Sequence, residues 1–183
     1  TRRSSDLDTL VLGCTHYPFV EQLVRDAAGR DITLVDTGEK TLTGGRLRRV
    51  RAHLGEQPFC FTYGDGVSDV DIGASIEFHK NHGKAATLTA TYPPGRFGAL
   101  DIDGHRIRNF MEKPKGDGAM INGGFFVLSP SVLNYLSNDA TVWEQQPLQR
   151  LAHDGQLMAF EHHGFWQPMD TLRDKVLLDC VQG

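Results

Sequence analysis

Residues 58–92, "PFCFTYGDGVSDVDIGASIEFHKNHGKAATLTATY", decide how the chain folds. "PFCFTYGDG" (58–66) is a run of apolar residues entering an Asp-Gly turn, which reads as a buried strand ending in a tight reversal. "VDIGASIEFHKNHG" (70–83) reads as a helix, and "AATLTATY" (85–92) as the next strand. Strand, helix and strand in that order predict the crossover unit of an α/β sheet.

The same alternation extends upstream. "DTLVLG" (8–13) is a short apolar strand, and "FVEQLVRDAAG" (19–29) sets Phe19, Leu23 and Ala27 at helical spacing before Gly29. "ITLVDTG" (32–38) predicts a second strand, and "GRLRRVRAHLG" (45–55) places Leu47, Val50 and Leu54 on one helical face. Beyond Tyr92 the texture changes to short strands broken by Pro-Pro-Gly, Asp-Gly and Gly-Asp-Gly turns, a meander of hairpins inserted in the sheet. Ser129 with Pro130 opens a short helix, and Thr141 with Glu144 forms the pattern of a capping box before "QPLQRLAHDG". Two strands, "QLMAFEHHG" and "FWQPM", then precede a final helix from Thr171.

Composition narrows the function. The 183 residues are 39% hydrophobic and 23% charged with a net charge of -4, which suits a soluble globular protein and offers no attraction to a polyanion. Nucleic acid is therefore not an expected partner. Cys14, Cys60 and Cys180 are widely spaced with no C-x-x-C pair, so neither a disulfide framework nor a zinc site is indicated. No apolar run approaches the ~20 residues that span a bilayer, and no signal peptide is evident, so a cytoplasmic protein without a membrane partner is expected. His79 and His82, at the end of their helix, are expected to complement its dipole rather than to bind metal. Trp143, Trp166, Phe125 and Phe126 are expected in the core.

The words "VDTGEKTLTGGRLRRV", "FTYGDGVSDVD", "ATLTATYPPGRFGALDI", "EKPKGDGAMINGGFFVLSP" and "GFWQPMDTLRDK", in order from about residue 35 to 183, resemble the glucose-1-phosphate cytidylyltransferases. The resemblance implies that the phosphate of glucose 1-phosphate attacks the α-phosphorus of CTP, giving CDP-glucose and pyrophosphate. Because the nucleophile is already an anion, this chemistry needs charge neutralised more than it needs a base. The resemblance implies magnesium held by Asp65 and Asp170; on the sequence alone, Asp65 also reads as a turn residue and Asp170 as the N-cap of the last helix. It further implies Glu112 as an acceptor for a sugar hydroxyl, Lys113 and Lys115 as cations for the sugar phosphate, Asn122 and Gly123 against glucose, and Arg46 at the nucleotide. Asp65, Arg46 and Lys115 are the expected catalytic set. The family's "GGxGTR" loop, with the "KP" lysine that follows that loop, does not occur in the sequence, so an inactive remnant stands as a second expectation.

Residues 6–39, "DLDTLVLGCTHYPFVEQLVRDAAGRDITLVDTGE", resemble the catalytic stretch of glutamate racemase, with Cys14 as a proton-exchanging thiol, Thr15 binding substrate and His16 assisting. The expected organisation is thus a chimera: residues 1–39 a racemase-like βαβ segment, residues 40–183 a partial sugar nucleotidyltransferase domain. The expected fold class is α/β, a mixed, mostly parallel Rossmann-like nucleotidyltransferase sheet with an inserted β-meander and a βα unit from a racemase-like parent. A racemase-like isomerase fragment and a non-catalytic scaffold are the alternative functions. Homo-oligomerisation is left open.

Overall fold

Alternation along two neighbouring strands builds both faces of the main sheet. In β2 (Phe59–Thr62) and β7 (Ile121–Leu128), Phe59, Phe61, Phe126 and Leu128 join one buried cluster, while Cys60 and Val127 join another with Ile76. Successive strand side chains point to opposite faces, so the sheet carries apolar packing on both sides. The computed structural model describes residues 10–12, 33, 35–94, 99–103, 106–111 and 119–181. The helix expected over 19–29 lies outside them.

The sheet has five strands in the order β1-β2-β7-β4-β8, where β1 is Leu10–Leu12, β4 is Ala86–Thr91 and β8 is Leu157–His162. β1 is parallel to β2, and β4 to β8, whereas β7 runs antiparallel to both β2 and β4. The sheet is mixed, as expected, but with two parallel and two antiparallel pairings it is not mostly parallel. The reason lies in the connection: a hairpin of β5 (Ala99–Asp103) and β6 (Arg106–Met111), rather than a crossover helix, stands between β4 and β7 in the sequence. A separate two-stranded ribbon joins β3 (Gly66–Ser68) to β9 (Trp166–Pro168).

Helix α1 (Thr43–Arg49) runs into a 3-10 turn over Val50–His53, and Leu47 is fully buried with Val50 and Leu54 packed on its cluster, as the spacing predicts. The strand expected over 32–38 is not formed at 35–38. Arginine donors replace a ladder there: Arg46 Nη1 donates to Thr37 Oγ1 at 2.7 Å and Arg49 Nη1 to the Thr37 carbonyl at 3.0 Å. The expected capping box fails for a similar reason. Helix α3 (Gln146–His153) starts after Gln145 with no side-chain cap, because Thr141 Oγ1 accepts the Asn138 N–H and Glu144 Oε2 accepts the Thr43 hydroxyl.

These bonds fasten α1 to the 138–144 loop. The N–H groups of Gly44 and Gly45 both donate to the Thr141 carbonyl, and Arg49 grips Asp139 with Nε and Nη2. The loop passes so close that a Cβ on Gly45 would meet the Asp139 carbonyl oxygen, with the Asp139 carbonyl carbon at 2.7 Å. Gly45→Ala should therefore lower stability by about 2–3 kcal/mol, read from denaturant unfolding, because backbone rather than a mobile side chain must move.

Helix α2 (Ile72–His82) is capped by Asp71, whose Oδ1 accepts the Ala74 N–H at 2.9 Å. His79 is buried, with Nδ1 and Nε2 each 2.9 Å from a hydroxyl, those of Thr87 and Ser129. His82 Nε2 lies 2.7 Å from the same Thr87 oxygen. Burial pushes the His79 imidazole down to about 4 and lowers His82 as well, so both are neutral hydrogen-bonding groups at pH 7. That replaces the expected charged role at the helix end.

His79 titrates near 6.5 when unfolded and about 4 when folded, so its contribution is fully present above pH 6.5 and is lost as pH falls from there toward 4. The loss should reach about 2–3 kcal/mol in urea unfolding across that window. His79→Gln should flatten the slope.

Candidate active site

The site grows out of an irregularity in β7. Pairing with β4 steps from Leu88↔Phe126 to Ala90↔Asn122, so four residues of β7 span two of β4. The surplus is taken up around Gly123 and Gly124, and Gly124 sits at φ +81°, where a side chain would be strained. Asn122 Oδ1 accepts the Gly124 N–H at 2.9 Å and closes the bend. Across the gap, Trp166 Nε1 donates to the Gly123 carbonyl at 2.8 Å, tying β9 to β7.

A cavity of about 160 Å³ opens at this bend, lined among others by Tyr63, Asp65, Asn122, Gly123, Trp166 and Pro168. Asp65 enters it from the turn between β2 and β3. The Asp65 carbonyl accepts the Met169 N–H at 2.8 Å, continuing the pairing of Gly66 with Pro168. This bond brings Asp170, the next residue, beside the Asp65 strand although the two are far apart in sequence. Both residues are exposed. At the start of the last helix, α4 (Leu172–Val181), Asp174 accepts from the Thr171 N–H and hydroxyl at 2.9 and 2.8 Å. Among the described residues no cluster of three or more His, Cys, Asp or Glu could hold a metal. A pair of carboxylates still suits magnesium, which keeps several waters and takes one or two carboxylate ligands.

Three expected site residues, Asp65, Asn122 and Gly123, thus line one cavity, and Asp170 follows Met169, whose N–H bonds the Asp65 carbonyl. Arg46 does not line it; its guanidinium donates to Thr37 Oγ1 and to the Glu39 carbonyl. Glu112, Lys113, Lys115, Cys14, Thr15 and His16 lie outside the described residues. Two residues escaped the sequence reading. Trp166 was expected in the core but borders both this cavity and a neighbouring one of about 290 Å³ that also meets Tyr92 and His162. Tyr63 packs edge-on to Phe61 and Phe126, and burial, with Glu144 next, holds its phenol above the usual range. The one available signal was its place in the "TYGDG" word, directly before the turn.

A mixed sheet with helices on both faces and a glycine-lined cavity bearing an aspartate at its strand ends is the architecture of a Rossmann-like nucleotidyltransferase. Residues 8–169 match the family model described as Nucleotidyl transferase, and the chain belongs to that family. Glucose-1-phosphate cytidylyltransferase of Salmonella typhi is 68% identical over 150 residues, 81% of this chain and 58% of that protein. Mannose-1-phosphate guanyltransferase beta-B of Xenopus laevis is 33% identical over 160 residues, 84% of this chain and 44% of that protein. The chain therefore spans about half the length of these relatives. In fold it resembles HddC from Yersinia pseudotuberculosis with a TM-score of 0.65 at 18% identity, over 95% of this chain and 78% of that one.

The family match overturns the expectation of a chimera. It begins at residue 8 and takes in most of the stretch that resembles a racemase, so a single nucleotidyltransferase domain spans most of the chain. The geometry agrees: β1 is a strand of the same sheet, with Leu12 paired to Thr62 beside the cavity. Nor does Cys60 supply a second reactive thiol, since burial pushes it up to about 11.

Trp166→Phe removes the bond to the Gly123 carbonyl while keeping an aromatic ring. The variant should lose about 1–2 kcal/mol of stability, seen as a lower denaturation midpoint at unchanged m-value.

Proposed function

We propose that this chain carries the sugar-phosphate half of a glucose-1-phosphate cytidylyltransferase site, joining glucose 1-phosphate to the α-phosphorus of CTP. In that step a phosphate oxygen of the sugar forms the new P–O bond as the bond from the α-phosphorus to the departing pyrophosphate breaks. The observation that carries the reading is the meeting of Asp65, Asn122 and Gly123 in one cavity, with Asp170 brought alongside by the Asp65–Met169 bond. The likeness to the Salmonella enzymes supports the choice of sugar and base.

Asp65 and Asp170 would hold magnesium, whose charge, when it is bound, offsets the repulsion between the two phosphates. Asn122 has one oxygen committed to Gly124, which leaves its Nδ2 hydrogens for hexose hydroxyls. Gly123 keeps the wall of the cavity free of a side chain. Glu112 would accept from a sugar hydroxyl, and Lys113 and Lys115 would neutralise the sugar phosphate. Arg46 could reach a nucleotide only by leaving its bonds to Thr37 and Glu39.

Incubating the protein with CDP-glucose, pyrophosphate and magnesium should release CTP. Asp65→Asn should reduce that signal at least about a hundredfold, and should also abolish magnesium-dependent binding of glucose 1-phosphate. Removing the metal with EDTA should do the same. Unchanged magnesium affinity in Asp65→Asn would refute the assignment.

A further inference from the structure

The Tyr63 hydroxyl is buried and, among the described residues, has no partner at ordinary hydrogen-bond geometry, although Glu144 and Asn122 stand close enough to act on it. Phenylalanine would fill the same niche against Phe61 and Phe126 without stranding a polar atom. A buried hydroxyl without a partner is costly, and native structures hold few of them. Tyr63 is also a wall of the cavity that Asp65 and Asn122 share.

Two groups stand next to this hydroxyl, the Asn122 amide and the Glu144 carboxylate. Their existing bonds fix what each has left to give. Asn122 Oδ1 is engaged by a backbone N–H, so the amide turns donor hydrogens elsewhere; Glu144 Oε2 accepts from Thr43, and a carboxylate has capacity for more. A phenol can donate to Glu144 while accepting from Asn122.

We infer that Tyr63 is a positioning residue for the sugar: on ligand binding its hydroxyl donates to Glu144 and accepts one Asn122 Nδ2 hydrogen, aiming the other at a hexose hydroxyl. The chain of contacts then runs from α1 through Thr43, Glu144, Tyr63 and Asn122 to the ligand. It rests on the glucose 1-phosphate reading above, and it adds the group that orients the sugar-facing amide.

Calorimetric titration of glucose 1-phosphate with magnesium into wild type and Tyr63→Phe, with melting curves of both ligand-free proteins, tests this. Tyr63→Phe should bind about five- to tenfold more weakly while its Tm equals or exceeds that of wild type. In an Asn122→Ala background the same substitution should change affinity less than about twofold, because the two residues act as one unit. Equal affinity in wild type and Tyr63→Phe would overturn the inference, as would a full effect persisting without Asn122. A Tyr63→Phe chain that melts much lower or fails to fold would overturn it too, by showing the hydroxyl to be structural. Failure of wild type to bind the sugar phosphate is a separate result: it removes the functional reading and this inference with it.

Discussion

Antiparallel pairing of β7 on both of its edges is the constraint on which the rest depends. A strand bonded to β2 on one side and β4 on the other is held more firmly than any edge strand, so a distortion placed in it keeps its shape. The bend at Gly123 and Gly124 occurs there, braced by the Asn122 side chain within the strand and by the Trp166 indole from outside. One wall of the cavity is thereby built on rigid backbone rather than on a loop, which is what precise placement of a ligand requires.

The second brace is the ribbon of β3 and β9. It carries the turn holding Asp65 and the segment leading to Asp170, and one backbone bond from Met169 fixes their spacing. His162 reinforces the ribbon, with Nε2 within 3.0–3.2 Å of Asp69, the Phe165 carbonyl and Ser68. Residues near 65 and near 165 thus behave as one unit, despite lying a hundred positions apart.

Where burial sets the pattern, the sequence was legible. β2, α2, β4, α1 and the two late strands follow from apolar periodicity and from Gly or Asp at the ends, and the "GDG" and "NGG" words located Asp65, Asn122 and Gly123. Side chains that answered distant partners were not legible. The segment at 35–38 looked like a strand, yet Arg46 and Arg49 satisfy it; Thr141 and Glu144 looked like a cap, yet one serves Asn138 and the other Thr43. Strand direction was misjudged because it depends on the route between strands, not on the strands themselves. The "LGCTHYP" word misled because a short local match says nothing of the sheet its strand joins. Tyr63 escaped because an orphaned hydroxyl is a property of packing alone.

The extra length in β7 amounts to two residues, not one. Strand side chains alternate with a period of two, so an even surplus leaves the inward and outward assignments in phase on either side of the bend. Loss or gain of a single residue between Asn122 and Phe125 would invert one half of the strand relative to the other, exchanging its core-facing and water-facing positions. Asn122, Gly123 and Gly124 are held to their identities by the bend, and the length of the stretch can change only in pairs.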